Sequence, residues 1–300
     1  MHSQEKRRRR RRRWIAAILV LLAVLLLCGG RAPLVLGTFN IQTFPHGKTD
    51  LEAVAAALAE LDADAVAVQE ILDAGVFAQV LERASEFTGR RYRAKLVPSC
   101  RGRKNGQRLQ VGVVYDAARL ELVETRPLGS GEICPPGQPP GMVALLREAD
   151  GRAIAYASVH FTAGGEPERF AERRQQWRWL TERLPGLSAE LGAPVIVGGD
   201  FNSTGFLGRD GEERRFIDGI VEERGLQLVT EGLPCSMYWE TNGRFEPSLL
   251  DHVLAPKDMS FGEVAALGMC EALACAPQAT MPPEYTAVSD HCPVRAVLRQ

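Results

Sequence analysis

The chain has 300 residues, 45% hydrophobic and 24% charged, enough to build a sizeable core in one large domain or two ordinary ones. Its formal net charge of −1 hides an uneven distribution, because eight of the 36 basic residues (Lys6 and Arg7 to Arg13) precede residue 31, against one of the 37 acidic ones. Residues 31–300 thus hold 28 basic and 36 acidic groups, a net of −8, which excludes a body that attracts polyanions by overall charge and leaves any such contact to a local patch or a metal ion.

Arg7 to Arg13 abut an apolar run from Trp14 to Cys28, closed by Gly29-Gly30. A spanning helix needs about 17–25 residues, so the run is marginal for one. Basic residues, then an apolar stretch, then small residues also describe a signal peptide. In either case the arginines stay on the cytoplasmic side and the C-terminal body is sent across. Residues 1–30 are therefore read as a signal or anchor, and 31–300 as an exported domain, secreted or tethered through residues 14–30. Leu27 before Cys28 argues against a lipidated cysteine. Export permits disulfides. Cys100, Cys134, Cys235, Cys270, Cys275 and Cys292 allow fifteen pairings, among which sequence does not choose, and none has zinc-site spacing.

In chain order, Leu34–Phe39 reads as a strand ending at Asn40. Thr49 and Glu52 form a capping box, and Leu51, Val54, Leu58 and Leu61 keep helical spacing. Ala65–Val68 is a second buried strand, ending at Gln69-Glu70. Residues 73–88 are expected to be helical, and 91–97, 109–116 and 119–125 to be strands. Between the first two of these strands, Arg101, Arg103, Lys104 and Arg108 make a basic, glycine-containing loop. A charge run in a loop is ordinarily just solvated, but this one has the composition to follow phosphates. Residues 127–141 are rich in Pro and Gly and read as a loop. Asp150-Gly151 marks a hairpin whose second strand ends at His160. A helix starts at Pro167 and is expected to run to about Leu184.

Next comes Pro194-Val-Ile-Val-Gly-Gly-Asp200-Phe-Asn202. Four residues make a buried strand, and Gly198-Gly199 are expected to break it by turning tightly or approaching a ligand. Residues 213–224 are expected to be helical, and 235–247, with Tyr238 and Trp239, irregular. Ser248–Leu254 is a buried strand carrying Asp251 and His252. Ser289-Asp290-His291 precedes a last strand to Leu298. No repeat and no internal domain boundary is evident.

Asn40, Glu70, His160, Asp200, Asn202, Asp251, Asp290 and His291 all lie at or near the ends of apolar strands, where open α/β folds place chemistry. A histidine inside an apolar strand is ordinarily a satisfied core residue. His252 is read that way, because as the neighbour of Asp251 it faces the opposite side. Carboxylates and amides together suit a hard cation, Mg²⁺ or in its place Mn²⁺ or Ca²⁺. Imidazoles beside carboxylates suit acid–base work near neutral pH. Metal, His and Asp without a Ser or Cys nucleophile motif suggest attack of water on a phosphate ester.

Asn40-Ile-Gln-Thr-Phe, Val68-Gln69-Glu70, Ser158-Val-His160, Gly199-Asp200-Phe-Asn202, Leu250-Asp251-His252 and Ser289-Asp290-His291 together resemble the endonuclease/exonuclease/phosphatase superfamily, the DNase I-like fold, over residues 34–299. The resemblance implies an α/β (α+β) four-layer sandwich, two mostly antiparallel sheets face to face with helices outside. It implies that Glu70 ligates Mg²⁺ with help from Asn40 and Asp290. Asp251 would orient His291 as an acid–base dyad, and His160 would stabilise the scissile phosphate. Asp200 and Asn202 would position water, or a second metal, and the phosphate oxygens.

Two features depart from DNase I itself. Leu96–Arg101 offers no acid to pair with His160, and Ser203-Thr204-Gly205 replace a disulfide. The expected activity is a metal-dependent phosphodiesterase, an exported or membrane-tethered DNA endonuclease with Arg101, Arg103, Lys104 and Arg108 binding substrate. The alternatives are a phospholipid or sphingomyelin phosphodiesterase and an inactive binding module. Nucleic acid and, through residues 14–30, membrane are the expected partners; no protein partner is expected.

Overall fold

The computed structural model describes residues 32–102, 108–129, 137–203 and 211–299. In chain order the elements are β1 (Leu34–Phe44), α1 (Leu51–Leu61), β2 (Ala65–Ile71), α2 (Ala74–Thr88), β3 (Tyr92–Gly102), β4 (Arg108–Asp116), β5 (Leu120–Pro127), β6 (Gly141–Glu148) and β7 (Ala153–His160). There follow α3 (Pro167–Leu191), β8 (Val195–Asp200), α4 (Gly211–Glu223), β9 (Leu226–Leu228), β10 (Met237–Thr241), β11 (Arg244–Ser248), β12 (Asp251–Pro256), β13 (Phe261–Ala266), α5 (Met269–Ala272), α6 (Glu284–Ala287) and β14 (Val294–Leu298).

They assemble into two six-stranded sheets, ordered β13-β14-β1-β2-β4-β3 and β5-β6-β7-β8-β12-β9, with β10-β11 as a separate hairpin. Each six-stranded sheet has one parallel pair, β1 with β2 and β7 with β8, amid antiparallel neighbours. In both pairs the parallel strands are joined by a helix, as parallel pairing requires.

Three buried apolar layers hold the sandwich together. Leu36, Ala67 and Val113 of the first sheet meet Ala144, Tyr156 and Ile196 of the second. Val54, Leu58 and Leu61 of α1 and Phe77, Val80 and Leu81 of α2 cover the outer face of the first sheet. Trp177, Leu180 and Leu184 of α3 and Ile217 and Val221 of α4 cover the second. The order helix, sheet, sheet, helix is the four-layer sandwich expected from the sequence.

Several local expectations need correction. The cap of α1 is Asp50 and not Thr49: its Oδ1 accepts from the backbone N–H groups of Glu52 and Ala53, at 3.0 and 3.1 Å. Thr49 Oγ1 instead accepts from His46 N–H. Helix α3 continues through Pro185 to Leu191, because Leu187 beyond the proline still has core to bury against. The stretch expected to be irregular is the β10-β11 hairpin. Its turn, Asn242-Gly243, has positive φ at both residues, 51° and 73°, as a two-residue type I′ loop needs.

Gly198 and Gly199 are not a turn either. Both lie inside β8. A Cβ on Gly198 would overlap the Tyr156 hydroxyl, and one on Gly199 the Val159 carbonyl oxygen. The missing side chain lets Tyr156 lie across the interior and donate its O–H to Gly37 O of the opposite sheet, at 2.7 Å. The pair sets the spacing of the sheets. His252, as expected, is a core residue: it is buried, with Nδ1 2.9 Å from Thr230 Oγ1 and its ring edge-on to Phe201.

Two outcomes test this architecture. Gly198→Ala should lower unfolding free energy by about 1–3 kcal/mol, as overpacked cores do, seen as a lower urea midpoint at unchanged slope. Burial depresses the His252 imidazole from 6.5 to about 3. The unfolded histidine therefore takes up a proton before the folded one does, and stability falls as pH drops between those values, by up to about 1.4 kcal/mol per unit. A His252→Asn protein should show a shallower acid limb in urea melts run from pH 7 to pH 4.

Candidate active site

The C-terminal ends of the two parallel pairs open on the same edge of the sandwich. Asn40 and Glu70 come from β1 and β2, and His160 and Asp200 from β7 and β8, where they stand opposite each other in register. Asp251, the first residue of β12, pairs with Asp200 in register. Asp290 and His291 come from the segment before β14. Local backbone strain accompanies the convergence. Glu70 has φ 65° where the β2 register shifts, Asn202 has φ 49°, and Gln42 and Thr43 have φ 29° and 57°. Non-glycine residues held in this region cluster at functional sites.

Asp200 is the hub. Asn40 Nδ2 donates to its Oδ2 at 3.0 Å, and the same oxygen lies 3.5 Å from His160 Nε2 and 3.8 Å from His291 Nε2. Asn40 Nδ2 also reaches Glu70 Oε1 at 3.3 Å, and His160 Nε2 lies 3.8 Å from that oxygen. Glu70 Oε2 accepts from Thr43 N–H and Oγ1–H, at 2.8 and 3.0 Å. Asn202 uses its N–H to hold Asp200 Oδ1, at 2.8 Å, and its Nδ2 to hold the Phe161 carbonyl beside His160, at 3.2 Å. It brackets the two strand ends.

His291 Nδ1 is 2.8 Å from Asp251 Oδ2, so the dyad expected from the sequence is formed. Ser236 Oγ–H donates to that same Oδ2 at 2.7 Å, and accepts from the N–H groups of Leu250 and Asp251. Ser289 Oγ accepts from His291 N–H and donates to Asn40 O. Disulfides Cys235–Cys275 and Cys270–Cys292 hold the residue before Ser236 and the residue after His291. Cys100's side chain and Cys134 lie outside the described residues.

Electrostatics follow from burial and crowding. Burial alone would raise Glu70, but His160 and His291 and the bonds from Asn40 and Thr43 bring it below its ordinary value. Burial raises Asp290; His291 opposes this, while Glu70 and Asp200 add to it. Burial pushes Asp251 up and disfavours a charged His291. The carboxylates outweigh the burial: Asp251 first, then Asp200 and Asp290, hold His291 well above the usual histidine range. A protonated His291 presents Nε2–H to the site while Nδ1–H stays on Asp251.

Glu70, Asp200 and Asp290 crowd like charges with few cations to balance them. Asp290 Oδ1 is buried without a hydrogen-bond partner among the described residues. Oxygen donors, crowding and an orphaned carboxylate oxygen fit a hard divalent cation. Asp200, Asp251 and His291 also lie close enough to share an ion. Asp251 spends Oδ2 on His291 and Ser236, but its Oδ1 is also buried without a hydrogen-bond partner among the described residues, so both sides offer a carboxylate oxygen.

The basic patch is only partly visible. Arg103 and Lys104 lie outside the described residues, as does the side chain of Arg101, a residue of β3. Arg108 is exposed at the start of β4. The pairing of Gln110 with Ile71 places that start at the Glu70 end of the sheet.

Thr43, Ser236 and Ser289 were not singled out by the sequence. Thr43 and Ser289 sit within motifs whose neighbours drew attention. The Asn242-Gly243 turn carried the signal for Ser236: once it is read as a two-residue hairpin, Met237 pairs with Ser248, and Ser236 falls beside the entry to β12.

The profile of the Endonuclease/Exonuclease/phosphatase family matches residues 37–291. Solved structures with the same fold include the mannosyl-6-phosphatase Bt3783 of Bacteroides thetaiotaomicron VPI-5482, at 17% identity and TM-score 0.61 over 89% of this chain and 100% of that one. D. rerio TDP2 complexed with single strand DNA product is similar at 16% identity and TM-score 0.60, over 90% and 100%. The human Nocturnin catalytic domain with bound sulfate is similar at 18% identity and TM-score 0.59, over 90% and 95%. No curated protein matches the chain by sequence.

Ser236→Ala should leave Asp251 Oδ2 with His291 as its one side-chain partner among the described residues and lower kcat on a phosphoester about tenfold or more with KM little changed, the pattern of a lost transition-state contribution. Ser236→Thr should restore it. Replacing Cys270 and Cys292 together by Ser should lower kcat at temperatures where circular dichroism still shows the folded protein, because the His291 segment loses its anchor.

Proposed function

The chain belongs to the endonuclease/exonuclease/phosphatase family, whose members hydrolyse phosphoester bonds, and on that premise we propose that it is a divalent-metal-dependent phosphodiesterase, an exported or membrane-tethered endonuclease acting on DNA. The observation that carries the reading is the convergence on Asp200 Oδ2 of an amide and two imidazoles, one of them charged by a buried aspartate. Glu70, Asn40 and Asp290 would hold Mg²⁺, or Mn²⁺ or Ca²⁺ in its place, which when bound neutralises charge on the phosphate.

The chain's own residues do the rest. Asp200 orients the attacking water and accepts its proton as the water oxygen bonds to phosphorus, while the bond from phosphorus to the leaving oxygen breaks and that oxygen takes the Nε2 proton of His291. His291 Nε2–H and His160 Nε2–H face the charge that grows on the phosphoryl oxygens, a task for preset donors in a site shielded from water. Asn40 holds the Asp200 carboxylate toward Glu70, and Asn202 keeps Asp200 and His160 in register.

DNA as substrate is supported by the placement of Arg108 at the Glu70 end of the sheet. A neighbour of the same fold holding single strand DNA product adds to this. Export is supported by the arginine block and apolar run of residues 7–28, which lie outside the described residues. Among the described residues no helix is long and apolar enough to cross a membrane, so tethering would fall to residues 14–30.

Incubating the full chain with supercoiled plasmid should give nicked circles with Mg²⁺ and none with EDTA. Asp200→Ala should lose the activity altogether, and His160→Ala and His291→Ala should each lose about 10²–10⁴-fold, the usual worth of a positioned donor or acid–base group. Near-full activity in both histidine variants would sink the mechanism. A folded, metal-loaded protein that leaves plasmid intact but hydrolyses choline phospholipids or a phosphomonoester would replace DNA as the substrate and keep the chemistry.

A further inference from the structure

Helix α3 turns a partly polar face inward. Arg173, Gln176 and Trp177 stand three and four residues apart, so they share one side of the helix, and all three are fully buried. A helix ordinarily fills its inner side with apolar residues. Here the polar groups reach the chain just beyond the strand ends that carry the site. Gln176 Oε1 accepts from Thr162 N–H at 3.0 Å, and its Nε2 donates to Thr162 Oγ1 at 3.1 Å. Trp177 Nε1 donates to Ser203 Oγ at 3.1 Å. Thr162 lies two residues after His160, and Ser203 follows Asn202.

Arg173 ties three parts of the chain together. Its Nη1 donates to the carbonyls of Thr162 and Gly164, at 3.1 and 2.7 Å, while Nε and Nη2 donate to the two carboxylate oxygens of Glu213 on α4, at 2.7 and 3.2 Å. Stability alone does not call for such a buried pair, since well-packed apolar residues of similar volume commonly serve as well or better. What apolar residues cannot do is grip two carbonyls of the segment that leaves His160. Gly164 has φ 114°, a conformation open to glycine, and it presents its carbonyl to Arg173. Asn202 Nδ2 ties Phe161 O to the end of β8, so the segment after His160 is held from the sheet on one side and from the helix on the other.

We propose that Arg173 is a positioning residue for phosphoester hydrolysis: through the Thr162 and Gly164 carbonyls it fixes where His160 stands against Asp200, Nε2 3.5 Å from Oδ2. The assignment rests on the phosphoesterase reading and deepens it. Arg173 is too deeply buried to meet substrate, so its effect passes through His160. A misplacement of roughly 1 Å at a reacting group costs up to about 10²-fold, which gives the buried fork its use.

The experiment is a double-mutant cycle with His160→Ala, using the full chain, Mg²⁺ and bis(para-nitrophenyl) phosphate. Arg173→Met and Glu213→Leu are introduced together so that neither charge is left buried alone, and circular dichroism and the urea midpoint should stay close to those of wild type. The pair should lower kcat about 10–100-fold with KM little changed. In the His160→Ala background the same pair should change kcat less than about twofold, because a residue that acts through His160 has nothing left to position. Arg173→Lys keeps a cation beside Glu213 but lacks the fork that spans carboxylate and carbonyls, so its kcat should fall as well. Equal losses from the pair in both backgrounds, or a wild-type kcat in Arg173→Lys, overturn the positioning role alone. A wild type that hydrolyses neither this diester nor para-nitrophenyl phosphate overturns that role and the phosphoesterase reading together.

Discussion

The structure depends on crowding carboxylates together where water is scarce. Glu70, Asp200, Asp251 and Asp290 converge at one edge of the sandwich, Asp200 and Asp251 fully buried. Taking such charges out of water is costly unless each is met by a donor or a cation. Every contact at this edge answers that demand. Asn40 serves two carboxylates at once, Thr43 gives Glu70 two donors, Asn202 gives Asp200 a backbone N–H, and Ser236 and His291 share one oxygen of Asp251. Asp290 Oδ1 and Asp251 Oδ1 have no such answer among the described residues, and that is where the demand for a cation is concentrated.

This demand explains why the interior between the sheets turns polar as it nears the edge. Deep in the sandwich the facing side chains are Leu, Ala, Val and Ile. One step short of the site, Gln69 Nε2 donates to Ser158 Oγ, which donates in turn to Val68 O, and Thr38 Oγ1 reaches Gln69. These buried residues bond across the sheets and fix the register in which β1–β2 face β7–β8. The Tyr156-to-Gly37 bond does the same from further inside. A slip of one residue would turn Asn40 and Asp200 away from each other, so the polar line specifies the site as well as lining it.

Much of this was legible in the sequence, because the strands that build the site are short apolar runs ending in a polar residue. Asn40, Glu70, His160, Asp200, Asp251 and His291 were each marked by that boundary, and the structure brings them together. The glycine pair before Asp200 misled, since glycine in a sequence does not say whether it serves a turn or a neighbour's side chain. The Tyr156 hydroxyl at Gly198 and the Val159 carbonyl at Gly199 decided between them. Ser236 was hidden because its importance comes from a hairpin register and from a chain separation of 15 residues to Asp251. The pairing of the cysteines was hidden for the same reason: Cys270 and Cys275 are close in sequence, yet each is bonded elsewhere.

The two described disulfides sit on one side of the site, and that asymmetry has a physical reading. Glu70, His160 and Asp200 are anchored by strands inside six-stranded sheets and need no further support. Asp290 and His291 lie outside any six-stranded sheet, and Ser236 lies between β9 and the hairpin, where few backbone ladders restrain the chain. There Cys235–Cys275 and Cys270–Cys292 take over, burying their sulfurs with Tyr238 and Met269 in a small apolar cluster of their own. The sheets thus hold the half of the site that carries the carboxylate hub, and covalent bonds hold the half that carries the imidazolium. The geometry of the Asp251–His291 pair therefore depends on the two bonds staying oxidised, whereas that of the sheet-held carboxylates does not.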